Sequence, residues 1–130
     1  MRVVLSILAG SATWGIFWNL GTRAARAFFP NVLADGEPIT ALPALSGYIV
    51  YSAALSVLAG YVAAVVKGRD PVVTVWLLAV IQLGLGIVAE VSYWHLMPVW
   101  YHLVFLATVV PATVAGGYLR GGQRVVPRTA

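Results

Sequence analysis

The stretch Val72–Trp94, VVTVWLLAVIQLGLGIVAEVSYW, decides the fold. A helix needs about 20 apolar residues, at about 1.5 Å each, to cross a bilayer core of about 30 Å. This stretch meets that length with no proline and with Glu90 as its one charged side chain. A helix apolar on nearly every side has lipid, not water, as its neighbour.

Reading outward, residues 44–66 form a second run of the same kind. The short charged turn Lys67-Gly68-Arg69-Asp70-Pro71 joins it to the third, with Asp70 expected to cap the next helix and Pro71 at its first position. After the third run, His95-Leu96-Met97-Pro98 turns the chain into a fourth, 99–119. The first run begins at the N-terminus and has no breaker before Pro30. It resembles a signal-peptide core for ten residues, but the apolar run continues through Trp18, too far for one. PNVLADGEPITALP, from Pro30 to Pro43, is the one loop of any size. Residues 120–130 form a short basic tail, expected to be disordered at its end. The expected fold is all-α: a polytopic membrane protein, an antiparallel four-transmembrane-helix bundle forming a single domain over 1–130, with spans at 3–28, 44–66, 72–94 and 99–119.

Composition agrees. Of 130 residues, 61% are hydrophobic and 9% charged, against about a quarter charged in soluble domains. The absence of cysteine excludes disulfides, thiolate nucleophiles and cysteine-ligated metals. The net charge of +4 comes from basic residues flanking the apolar runs, so it points to membrane lipids and topology rather than nucleic acid. Arg2, Lys67, Arg69, Arg120, Arg124 and Arg128 fall on one side and Arg23 and Arg26 on the other, which predicts both termini in the cytoplasm. Trp18, Tyr48, Trp94, Trp100 and Tyr101 gather near the outer ends, as an aromatic belt does.

At about 100° per residue, each run carries a small and polar stripe. Ser11, Gly15, Asn19, Thr22, Arg23 and Arg26 share a face of the first, and Ser52, Ser56, Ala59, Gly60 and Ala63 one of the second. Ala79, Gln82, Gly86, Glu90 and Tyr93 line the third, and His102, Thr113 and Gly116 the fourth. Lipid gives helices no hydrophobic reason to associate, so close approach at small residues and mutual satisfaction of polar ones predict that the stripes converge on one axis. The echo between Ser6-Ile-Leu-Ala-Gly10 and Ser56-Val-Leu-Ala-Gly60 fits that shared need better than a duplication. Pro111 should kink the fourth helix and leave the Ala107 carbonyl without its usual donor, with Thr108 a candidate to help.

An intramembrane carboxylate costs about 2.5–3.5 kcal/mol or more unless it is paired. Counting from the turn near Leu96 and Met97, Glu90 and His102 both lie roughly 8–9 Å below it. Arg23 falls near the same level and Asn19 one turn deeper, and Tyr48, Tyr51 and Ser52 open the second helix at a comparable level. One reading is structural: an ion pair of Glu90 with Arg23 or Arg26, completed by His102 and a tyrosine. The other is a proton- or ligand-binding site near the outer face, since a carboxylate beside a histidine exchanges protons near neutral pH when burial tunes it. His102 is also a candidate axial ligand for haem or a chlorophyll-type pigment; no other cofactor and no metal site is expected. His95 reads as interfacial, and Trp14 and Trp18 as packing or belt residues. No phosphate loop, His-Glu-x-x-His or Gly-x-Ser-x-Gly motif occurs, and no catalytic residue is expected.

From Ser6-Ile-Leu-Ala-Gly10 through Pro98-Val-Trp-Tyr-His-Leu103 and Pro111-Ala-Thr-Val-Ala-Gly-Gly117, the chain resembles small uncharacterised four-helix inner-membrane proteins of bacteria. That resemblance implies the fold and a bacterial inner-membrane location, and no activity. Small multidrug exporters match in length and helix number, but they carry their membrane carboxylate in the first helix and this chain carries it in the third. The functions expected are, in order, a structural or accessory subunit bound to other membrane subunits or to itself, a small-solute or proton-coupled transporter using Glu90 and His102, and a pigment- or haem-binding subunit.

Overall fold

The computed structural model describes residues 2–29, 42–92 and 94–125, with side chains described as far as Arg120. Four helices run α1 (Arg2–Phe28), α2 (Leu42–Lys67), α3 (Val72–Ser92) and α4 (Val99–Val125), with a 3-10 turn at Trp94–Leu96 between the last two. All four are long and apolar enough to cross a membrane. They form an antiparallel bundle, and no strand occurs among the described residues.

The distribution of side chains is that of a protein dissolved in lipid. Ser6, Ser52, Ser56, Thr74, Gln82, Glu90, His102 and Thr113 are buried, while Leu8, Leu20, Val50, Val80, Leu85, Val88 and Leu103 are exposed. In water this would bury polar groups at a cost and leave apolar area wet. In hydrocarbon it is the favourable arrangement, and local bonds satisfy several of the hydroxyls. Thr13, Thr22, Ser92 and Thr113 each donate to the carbonyl four residues earlier.

The most extensive interface joins α2 and α4; α1 packs chiefly on α2 and α3 chiefly on α4. Small residues set the α2–α4 approach. A methyl group on Gly60 would overlap the carbonyl oxygen of Thr113, and one on Gly116 would overlap that of Val57. Backbones this close gain dispersion and Cα–H···O contacts that larger residues would forbid. On the other flank, Gly10 of α1 lies against Ala59 and Ala63 of α2, so the two Leu-Ala-Gly echoes supply facing small residues.

The expected stripes turn inward on three helices: Ser52, Ser56, Ala59, Gly60 and Ala63 on α2; Ala79, Gln82 and Glu90 on α3; His102, Thr113 and Gly116 on α4 are all buried, and Gly86 on α3 is half-buried. On α1 only Thr22 of the stripe is buried, and the face lines a cavity instead. Tyr93 lies outside the described residues, as do 30–41 of the loop and 126–130 of the tail. Pro43 sits in the first turn of α2, where its missing N–H is harmless.

Several local details differ from the sequence reading. Asp70 adopts a left-handed backbone (φ 47°) and precedes the cap; the Pro71 carbonyl takes the first helical bond, from the Val75 amide at 2.8 Å. Two left-handed residues, Gly68 and Asp70, turn the chain here before Pro71 admits a helix. The third helix is described as far as Ser92, and Trp94 belongs to the 3-10 turn rather than to the helix. The fourth runs on through Gly121 and Gly122 to Val125, since no proline intervenes. It also remains helical across Pro111. Thr108 donates to Val104 at 2.7 Å rather than assisting Ala107, because its hydroxyl reaches back one turn along its own helix.

Candidate functional site

Glu90 is on the last turns of α3 and His102 on the first turns of α4, so the short connection between these helices brings them face to face. His102 Nδ1 meets Glu90 Oε2. His102 is fully buried and Glu90 is 7% exposed. The other ring nitrogen, Nε2, lies 3.1 Å from the Trp94 carbonyl oxygen, and the imidazole stacks on the Trp94 indole at 4.3 Å. Tyr101 meets the same imidazole edge-on at 5.8 Å.

This geometry fixes a proton count. A carbonyl oxygen only accepts, so Nε2 carries a hydrogen and donates it. Nδ1 then either carries a second hydrogen opposite an ionised Glu90, or presents a lone pair to a protonated one. In both forms the pair holds one exchangeable proton between its two acceptors and is electrically neutral. Without that proton, two lone pairs would face each other in a buried site.

The sequence reading allowed Glu90 to pair with Arg23 or Arg26. Among the described residues, its ion pair is with His102. The reason is helix divergence: a cavity of about 440 Å³ lies between α1 and α3 at this level. Arg23, Arg26, Asn19 and Thr22 line it from α1, Glu90 and Gln82 from α3, and Tyr48 from α2. Arg23 and Asn19 are exposed at its edge; Asn19 Nδ2 donates to the Gly15 carbonyl at 2.8 Å. Tyr48 is buried, its ring 5.7 Å from that of Trp18. Tyr51 turns away and donates to the Phe17 carbonyl across the α1–α2 contact. Ser52 is buried, with a hydroxyl that has no protein partner.

Trp14 and Trp18, expected to pack or to sit in the belt, do pack against the buried cluster of Leu45, Tyr48, Tyr101, Phe105 and Val109, and both also line the cavity. They stack at 5.1 Å, Phe105 meets each edge-on, and Trp14 Nε1 donates to Ser56 Oγ at 3.1 Å. The signal was present: Trp14 and Trp18 are four apart and flank the Ser11, Gly15 and Thr22 face. Gln82 was placed on the polar stripe but its partner was not foreseen. Its amide donates to Thr113 Oγ1 at 2.9 Å, and Thr113 donates onward to the Val109 carbonyl at 2.8 Å.

His102 offers poor prospects as an axial ligand, because both ring nitrogens are engaged; coordination would have to displace Glu90 or the Trp94 carbonyl. Among the described residues, no group of three or more His, Cys, Asp or Glu side chains is placed to hold a metal. Comparison with family models, curated proteins and solved structures finds no match for the chain.

Proposed function

We propose that this multi-pass membrane protein is a proton-linked carrier of a small solute, with the α1–α3 cavity as its binding site. The observation that carries the reading is that Glu90, half of a pair holding one exchangeable proton, forms part of the cavity wall. An occupant that touches Glu90 alters the free energy of that proton, and the proton alters the occupant's affinity by the same factor. The groups facing Glu90 are His102 and Tyr101 on α4, Arg23 and Arg26 on α1 and Tyr48 on α2. The basic residues favour a bacterial inner-membrane protein with both termini cytoplasmic and the cavity toward the outer leaflet.

The test is solute-driven proton movement in proteoliposomes carrying a trapped pH indicator. A solute that drives proton flux through the wild-type chain and none through Glu90→Gln supports the reading. Flux that is independent of pH, or unchanged in Glu90→Gln, overturns it.

A second reading, a structural or accessory subunit, is favoured by one observation: Asn19 and Arg23 of α1 line a shallow exposed groove with Gly15, Ile16 and Leu20. A span of another subunit, or of a second copy, would shield these polar groups from lipid. Purification in mild detergent decides it: a stable larger complex supports this reading, and a particle consistently without partners removes it.

A further inference from the structure

The dimensions and lining of the cavity define its occupant more narrowly. Along α1 the lining runs from Ser11 to Arg26, a length of roughly 22 Å at 1.5 Å per residue. A volume of about 440 Å³ over that length makes the cavity long and narrow, a shape that suits one extended chain better than a compact solute. The lining changes along it. Trp14, Leu85, Phe105 and Val109 make its middle part apolar, with Ser11 and Gln82 toward the inner end, while Arg23 and Arg26 stand at the outer end. Among the described residues, Glu90 is the one carboxylate in the wall, and the proton it shares with His102 compensates its charge. The arginines, whose planar guanidinium groups bind carboxylate and phosphate oxygens in pairs, set the charge preference of the outer end.

We infer that the cavity takes a single-chain anionic amphiphile, its carboxylate or phosphate head at Arg23 and Arg26 and its chain along Trp14, Trp18 and Phe105. This rests on the cavity being the binding site proposed above. The head chemistry is shared by a free fatty acid and by one chain of an anionic phospholipid. It differs from that of an alkyl cation or a compact soluble anion.

Indole quenching tests the assignment, because Trp14 and Trp18 line the chain-binding part. The full chain with Trp76 and Trp100 replaced by phenylalanine is placed in zwitterionic nanodiscs. It is titrated with 9,10-dibromostearate, with a phosphatidylglycerol brominated on one chain, with a brominated alkyl trimethylammonium, and with benzoate as competitor. Saturable quenching by dibromostearate, by the phosphatidylglycerol or by both, weakened tenfold or more in Arg23→Gln/Arg26→Gln, supports the inference and identifies the source. Loss of saturation in Trp14→Phe/Trp18→Phe places that signal in the cavity. Equal saturation by the alkyl cation, displacement by benzoate at the same concentrations as by stearate, or affinity unchanged in the double arginine variant overturns it. If no brominated chain saturates yet Glu90-dependent solute flux persists, this inference falls and the carrier reading stands. If both are absent, both fall. Circular dichroism and elution volume of the arginine variant confirm that it is folded.

Discussion

The imidazole of His102 lies flat on the indole of Trp94, with ring planes 11° apart, and its Nε2 donates to the carbonyl of the same tryptophan. One residue thus holds the histidine by both its ring and its backbone, which leaves Nδ1 aimed at Glu90.

That arrangement separates two substitutions at Glu90. In Glu90→Gln the side-chain amide can donate to a neutral Nδ1, so one bond survives and stability should fall by less than about 1 kcal/mol. In Glu90→Ala the buried nitrogen has no partner, and the loss should be about 1–3 kcal/mol. Unfolding in mixed micelles measures both. Equal losses would mean that the pair does not bear on stability through its hydrogen bond.

The α2–α4 contact is expected to be intolerant of added volume. Gly60→Leu and Gly116→Leu each place a side chain where the partner backbone lies, and should cost about 3 kcal/mol or more. Gly84→Ala, on an exposed stretch of α3 with open space around it, should stay within about 0.5 kcal/mol of the parent. Thermal midpoints of the three variants, compared in one detergent, check the contrast.

The Gln82–Thr113 bond invites a double-mutant cycle. Gln82→Leu and Thr113→Val should each destabilise, with a coupling of about 0.6 kcal/mol, the usual size for hydrogen bonds between membrane helices. A coupling of zero would show that the two side chains act independently.

Pro111 is exposed on α4, so Pro111→Ala removes no buried packing and returns an amide donor to the Ala107 carbonyl. The thermal midpoint should rise. A fall would show that the proline's geometry, rather than its missing hydrogen bond, is what the bundle uses.

Much of this was legible in the sequence because a membrane helix has a simple ruler and few polar residues to place. Counting from one turn put Glu90 and His102 at the same depth, and the stripes of Ser52 and Ser56, Gln82 and Thr113 turned inward as polar groups in lipid must. The identity of Glu90's partner was not legible. Depth does not specify the lateral spacing of helices, and the gap between α1 and α3 keeps Arg23 and Arg26 on the far wall. Nor does a side-chain pattern reveal a backbone acceptor such as the Trp94 carbonyl, which the 3-10 turn presents to His102. That Trp14 and Trp18, besides packing on the core, also wall a cavity was hidden for a related reason: indoles serve equally in a belt, a core or a cavity wall, and only the spacing between helices distinguishes them.

The first helix is the loosest stave of the barrel. Ser6, Gly10 and Thr22 are its buried residues, and beyond the contact of Gly10 with Leu78 a cavity separates it from α3. A molecule that fills this gap would act as mortar, lending the C-terminal half of α1 a support that its own chain does not supply. The bare protein should therefore melt earlier and show faster amide exchange in α1 than the loaded one, and the size of that difference would report how tightly the occupant is held.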